Sequence, residues 1–151
     1  MRGDPNRICE CPDPVVRRYQ GRLSGPLLER MDLHVSVPVA PWREIQQGPG
    51  ESTAAVRERV LAARDLQRVR HLKHSFTMNA ELPAADLDRY CAPDTRATSL
   101  LERAVDRLHL SVRSYARTLR VARTIADLGG QDRIDSNAVA EALGFRRTER
   151  E

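Results

Sequence analysis

Lysine is almost absent from this chain. Its 151 residues hold one, Lys73, against 24 arginines. Lys73 sits in the run HLKHS with no glycine-rich stretch before it, so no G-x-x-x-x-G-K-[ST] phosphate loop is encoded here. Cysteine is scarce and odd in number: three residues argue against a disulfide framework and for a reducing compartment. No apolar run approaches the roughly 18 residues that cross a bilayer. The opening MRGDPNRICE lacks the apolar segment of a secretory signal. A cytoplasmic protein with no membrane partner is expected. The four histidines (His34, His71, His74, His109) show no ligand spacing with carboxylates or cysteines, and no Ser, His and Asp set stands in a nucleophile motif. Cys9 and Cys11 supply at most half of a four-thiolate zinc site. No metal site is assigned, and free surface cysteines are expected.

What is present is a mildly basic domain. Basic residues number 25 and acidic ones 21, a net charge of +4, which permits contact with phosphates without requiring it. Seven of the nine prolines and five of the eight glycines lie in the first 50 residues. The chain therefore divides into an irregular N-terminal third, residues 1–50, a helical remainder, 51–146, and a frayed tail, 147–151.

In the first part, DPVVRRYQGRL suits a short helix with Pro14 at its first position. Gly25-Pro26 interrupts it. In MDLHVSV, the residues Met31, Leu33, Val35 and Val37 alternate with polar ones, the period of a half-buried strand. Pro38 and Pro41 stop it. A lone strand cannot satisfy its own backbone, so a sheet partner from elsewhere is implied.

The second part reads as a bundle of short-looped helices. Ser52 is placed to cap a long helix whose apolar face is marked by Val56, Val60 and Ala63. That helix carries six basic residues through Lys73, which suit either a solvated face with ion pairs or a surface facing phosphates. A short helix follows Pro83 towards Tyr90. Asp94 caps the next, with Leu100, Leu101, Ala104, Val105 and Leu108 as its stripe. Ser111 caps another, with Leu110 and Tyr115 as a hydrophobic staple and Val112, Leu119, Ala122 and Ala126 inward. Gly129-Gly130 ends it, and a last helix runs from Asp135 or Ser136 to about Phe145.

Two arginine features stand out. Arg113, Arg117 and Arg120 fall at i, i+4 and i+7 as one ridge, with Arg113 in a first turn where the helix dipole already favours anions. Arg30 stands at the mouth of the alternating segment, where it could either pair with Glu29 or Asp32 or reach across an interface. Pattern does not choose between these readings.

The stretches RGDPNRICECPDPVVRRYQGRLSGPLLERMDLHVSVP, GESTAAVRERVLAARDLQ, NAEL and LSVRSYARTLRVARTIADL together resemble the C-terminal part of magnesium-chelatase-like AAA+ ATPases. The group they are most similar to is the ComM (YifB) competence-associated family. The resemblance implies a mainly α fold: a helical AAA+ lid preceded by one β-strand of an incomplete core. It implies that Arg30 is an arginine finger acting in trans on a neighbouring subunit's ATP site. It implies that Arg113 is the sensor 2 residue contacting ATP phosphates, with Arg117 a weaker second. The implied partners are the AAA+ core, neighbouring subunits of a hexamer, and DNA, with ATP and Mg bound in a full-length relative and neither held tightly by this chain alone. The family's Walker motifs and sensor 1 lie upstream of the matching stretches. The implied parent activity is ATP-driven helicase or branch-migration work in recombination or natural transformation. A basic nucleic-acid or partner-binding module without catalysis is the alternative, and a magnesium-chelatase subunit a lower-ranked one.

Overall fold

The structure, a computed structural model, describes residues 10–46, 48 and 50–146. Cys9 and the tail 147–151 lie outside the described residues. The chain forms two compact units: one reaches Met31 and includes Val35–Gly50, and the other joins Asp32–His34 to the stretch from Glu51 onward.

The first unit holds three short helices: α1 (Asp13–Gln20), α2 (Gly25–Leu28) and α3 (Trp42–Ile45). Pro14 lies in the first turn of α1, where the missing N–H costs nothing. Ser24 caps α2 by accepting from the Leu27 N–H at 3.3 Å. After α2, the Arg30 N–H donates to the Leu27 carbonyl (3.0 Å) and the Met31 N–H to that of Leu28 (3.1 Å), so the chain leaves the helix through one further turn.

The strand expected at Met31–Val37 is absent. Among the described residues there is no strand at all, only one isolated bridge between Pro93 and Ile134. Residues 31–40 are irregular backbone, and Leu33, Val35 and Val37 are exposed. The physical reason is the missing ladder. Alternation prepares one face for a sheet, but extended backbone becomes a buried strand only when a neighbour takes its N–H and C=O groups.

The second unit is helical: α4 (Thr53–Arg70), α5 (Leu87–Tyr90), α6 (Thr95–Leu108), α7 (Val112–Leu128) and α8 (Ser136–Gly144), with 3₁₀ turns at Asn79–Glu81 and Ala84–Asp86. Side-chain caps start the four longer helices. Ser52, Asp94, Ser111 and Asp135 accept from the N–H of Ala55 (3.3 Å), Ala97 (2.8 Å), Ser114 (3.2 Å) and Ala138 (2.8 Å). His109, at φ 48°, turns the chain out of α6. Gly130, at φ 64°, does the same for α7, and the Gln131 N–H closes onto the Ala126 carbonyl at 2.8 Å.

The core lies between α6, α7 and α8. Small side chains let these helices approach closely: Ala97 and Ala104 from α6, Ala122 and Ala126 from α7, Ala138 and Ala142 from α8. Leu101, Leu119, Val139 and Ile134 fill the space, with Leu82, Leu87 and Cys91 closing one side. Burial pushes the Cys91 thiol up to about 11, against the pull of Arg123, Arg70 and Arg120 nearby. Leu110 and Tyr115 pack against the core as a staple should.

Two apolar faces differ from expectation. Val112 is 86% exposed: as the first residue of α7 it faces outward, and the buried face begins at Ser114. On α4, Val56 and Val60 are exposed, and the residues turned inward are Ala63, Gln67 and His71, one turn apart. Leu108 of α6 is likewise exposed. Among the described residues no helix is long and apolar enough to cross a membrane.

Candidate functional site

Polar residues on the inner face of α4 need partners, and α7 provides them. Asp127, whose side chain is fully buried, accepts from Arg70 through both carboxylate oxygens (2.8 and 2.5 Å) and from Arg123 Nε (3.1 Å). Asn79, from the NAEL stretch, donates its Nδ2 to Asp127 (2.7 Å) and to Thr124 Oγ1 (3.2 Å). A carboxylate partner fixes which end of the amide is the donor. Its Oδ1 therefore accepts from Arg70 (3.2 Å) and from His71 Nε2 (3.2 Å). The Asn79 backbone N–H is taken by Gln67 Oε1 at 3.3 Å. Arg123 also donates to the Gln131 and Asp132 carbonyls, so it holds the α7–α8 turn as well. Burial lowers the Arg123 proton affinity and the Asp127 charge opposes that shift, which keeps the pair ionic. Beside this network His71, His74, Phe76 and Tyr90 stack at ring separations of 4.8–6.0 Å, with His74 Nε2 2.9 Å from the Tyr90 hydroxyl. The network fixes α4 and the NAEL turn against α7. The sequence pattern marks the NAEL stretch but not the residues that meet it.

The arginine ridge of α7 has three different fates. Arg113, in the first turn, is exposed and makes no ion pair with a described residue, and that turn contains no acid. Arg117, one turn on, is half-buried and ion-paired with Asp32 at 2.5 Å. Arg120 gives its Nε to the Leu82 carbonyl at 2.9 Å. Of the three, only Arg113 stands at the helix N-terminus, the place where backbone N–H groups and dipole favour an anion.

Asp32 belongs to a three-residue segment seated on the helical unit. The His34 N–H donates to the Phe145 carbonyl at 2.9 Å, at the C-cap of α8. Between these two attachments Leu33 lines a cavity of about 410 Å³, walled by Val121, Ile125 and Leu128 of α7 and by Phe145.

Arg30 belongs to the other unit and its side chain is exposed. Asp32, one of the two partners expected for it, is engaged by Arg117. Cys11 is exposed, and among the described residues no group of three or more His, Cys, Asp or Glu is arranged to hold a metal ion. On α4, Arg59 pairs with Glu51 and Arg68 with Asp65, so those charges belong to solvated ion pairs.

Comparison with known proteins gives a consistent answer over both units. The family described as "Magnesium chelatase, subunit ChlI C-terminal" matches residues 50–146, and "Magnesium chelatase, subunit ChlI" matches residues 1–45. The "Competence protein ComM" of Haemophilus influenzae is 43% identical over 133 residues, 87% of this chain and 25% of its own length. An uncharacterized Mycobacterium tuberculosis protein, Rv2897c, is 43% identical over 140 residues, 93% of this chain and 28% of its own. The uncharacterized YifB of Escherichia coli is 37% identical over 150 residues, 98% of this chain and 28% of its own. The chain thus spans about a quarter of the length of these relatives.

Proposed function

Because this chain belongs to the magnesium-chelatase ChlI family, in its ComM- and YifB-like branch, we propose that it works as the C-terminal part of an AAA+ ATPase. In this reading the helical unit is the lid over a nucleotide whose Walker residues lie in the rest of the protein. Arg113 is the sensor 2 residue: a fixed positive charge at the α7 N-terminus that meets the ATP phosphates. Arg30 is the arginine finger and acts on the ATP of a neighbouring subunit. Both are suited to the task because a guanidinium stays charged and forks onto phosphate oxygens. The nucleotide with its Mg supplies the phosphoryl group. This chain's residues orient that group and stabilise the charge that develops on it.

The observation that supports this reading most directly is the exposure of Arg113 in a first turn that lacks any acid. An arginine there works against the helix dipole unless an anion is bound. A purely basic binding module is less well supported, since Arg59, Arg68, Arg70, Arg117, Arg120 and Arg123 are all engaged within the fold. One relative's name speaks of competence, so DNA is the proposed object of the work: helicase or branch-migration activity in recombination during transformation. A hexamer is the proposed assembly.

The test is made in the full-length protein. Arg30→Ala and Arg113→Ala should each abolish most ATP hydrolysis, on the scale of the roughly 10³–10⁵ that an arginine finger contributes. Mixing Arg30→Ala subunits with subunits that have an intact finger but a dead Walker B acid should restore turnover. Full hydrolysis by Arg30→Ala, or no rescue on mixing, would defeat the in-trans role. Loss of salt-sensitive DNA binding from the full-length protein without any effect on hydrolysis would point instead to a binding module.

A further inference from the structure

Arg117 and Asp32 come from positions 85 residues apart and meet in an ion pair. Each lies close in sequence to one of the two arginines assigned above. Arg117 is one helical turn beyond Arg113 on α7, and Asp32 is two residues beyond Arg30. We propose that Asp32, Leu33 and His34 form a clasp through which the helical unit sets the position of Arg30, with Arg117 as the positioning residue. The inference rests on the arginine-finger reading of Arg30 and adds to it a route between the two nucleotide sites that one subunit touches.

The clasp is held at both ends. At one end Asp32 is fixed by the Arg117 guanidinium, and at the other the His34 N–H is fixed by the Phe145 carbonyl at 2.9 Å. Leu33 lies between them against the apolar wall of α7. Only Met31 separates Arg30 from the anchored Asp32, a reach of about 7 Å at full extension. Arg30 is itself preceded by a turn that its own N–H closes onto Leu27. A short, hydrogen-bonded turn tied to a fixed residue has little freedom to wander. A rotation of α7 that accompanies an anion at Arg113 therefore carries Arg117, Asp32 and the root of Arg30 with it. Half-burial of Arg117 matters here. An ion pair with one partner sheltered holds a geometry that two fully solvated side chains do not.

The test compares Asp32→Ala, Arg117→Ala and the charge exchange Asp32→Arg/Arg117→Asp in the full-length protein, with Arg30→Ala and Arg113→Ala alongside. If Arg117 positions the finger, each single variant lowers kcat roughly five-fold or more, within the range of ordinary site-to-site coupling, while the KM for ATP stays nearly constant. The exchange restores most of the lost kcat. Hydrogen exchange at the His34 amide reports the clasp independently of turnover: its protection should fall in both single variants and return in the exchange. Unchanged kcat in both single variants, while Arg30→Ala is inactive, would overturn the proposal and leave the finger reading intact. A raised KM for ATP in Arg117→Ala without rescue by the exchange would also overturn it, making Arg117 a phosphate contact. Full activity of Arg30→Ala would overturn the finger reading and the catalytic purpose of the clasp together, and the His34 amide would still show whether the clasp exists.

Discussion

Arg70 and Asp127 stand 57 residues apart in the sequence and meet through two hydrogen bonds in the interior of the helical unit, where the aspartate side chain has no exposure to solvent. Arg123 reaches the same carboxylate from one turn earlier on α7, and Asn79 reaches it from the turn after α4. One acid thus gathers three donors from three places in the chain. Asp127→Ala would leave Arg123 buried and without its counter-charge, which typically costs about 3–5 kcal/mol. Urea unfolding of the variant should show that loss, and Arg70→Met should cost less because Arg123 and Asn79 still satisfy the carboxylate.

Asn79 is used at both ends of its amide and at its backbone N–H. Asn79→Ala removes four side-chain bonds and leaves His71 and Asp127 each short of a partner in a dry site. A cost of about 1–3 kcal/mol is expected for stranded groups of this kind. Thermal unfolding followed by circular dichroism measures it. A variant as stable as the wild type would mean that water takes the vacated positions.

Val112 and Leu119 of α7 look alike in periodicity and should separate sharply. Leu119→Ala opens a void in the core and should cost about 2–5 kcal/mol. Val112→Ser changes an exposed residue at the helix start and should stay within about 0.5 kcal/mol. Paired denaturation curves decide this, and a large loss at Val112 would mean that its side chain is covered.

Cys91 is buried and its thiol is pushed up to about 11 by the loss of solvent around it. Near pH 8 it should resist iodoacetamide in the native protein and react once urea unfolds the chain, which mass mapping of the modified peptides would show. The linkage has a definite sign. The folded-state value lies above the unfolded one, so its contribution to stability is complete below about pH 9 and is lost as pH rises through about 11. Native labelling near pH 8 would mean that the α5 end of the core opens readily.

The parts of this fold that are legible in the sequence are those decided within a few residues. Ser52, Asp94, Ser111 and Asp135 each bond an N–H three positions on, so a cap can be read locally. The left-handed Gly130 is equally local. The inner face of α4 is not legible. Gln67, Arg70 and His71 look like a solvated face until Asn79 and Asp127 arrive from elsewhere in the chain to satisfy them. The alternation of Met31–Val37 has the opposite fault, since it describes what a sheet would accept and says nothing of whether a sheet is there. Of the site, the exposure of Arg113 agrees with its first-turn position, whereas the ion pair between Asp32 and Arg117 leaves no trace in the pattern. Nothing within a few residues of either position points to the other, and only the fold brings the two to one place.

The clasp also has an order in time. Asp32 is synthesised 85 residues before Arg117, and the Phe145 carbonyl that holds His34 comes later still. The α6–α7–α8 contacts run between helices close in sequence and joined by short loops, so they form quickly. The clasp, by contrast, must close a long loop onto a surface that exists only after α7 and α8 have packed. It is the last connection to form, and a chain cut short before Phe145 would lose it even with every residue around Arg30 intact.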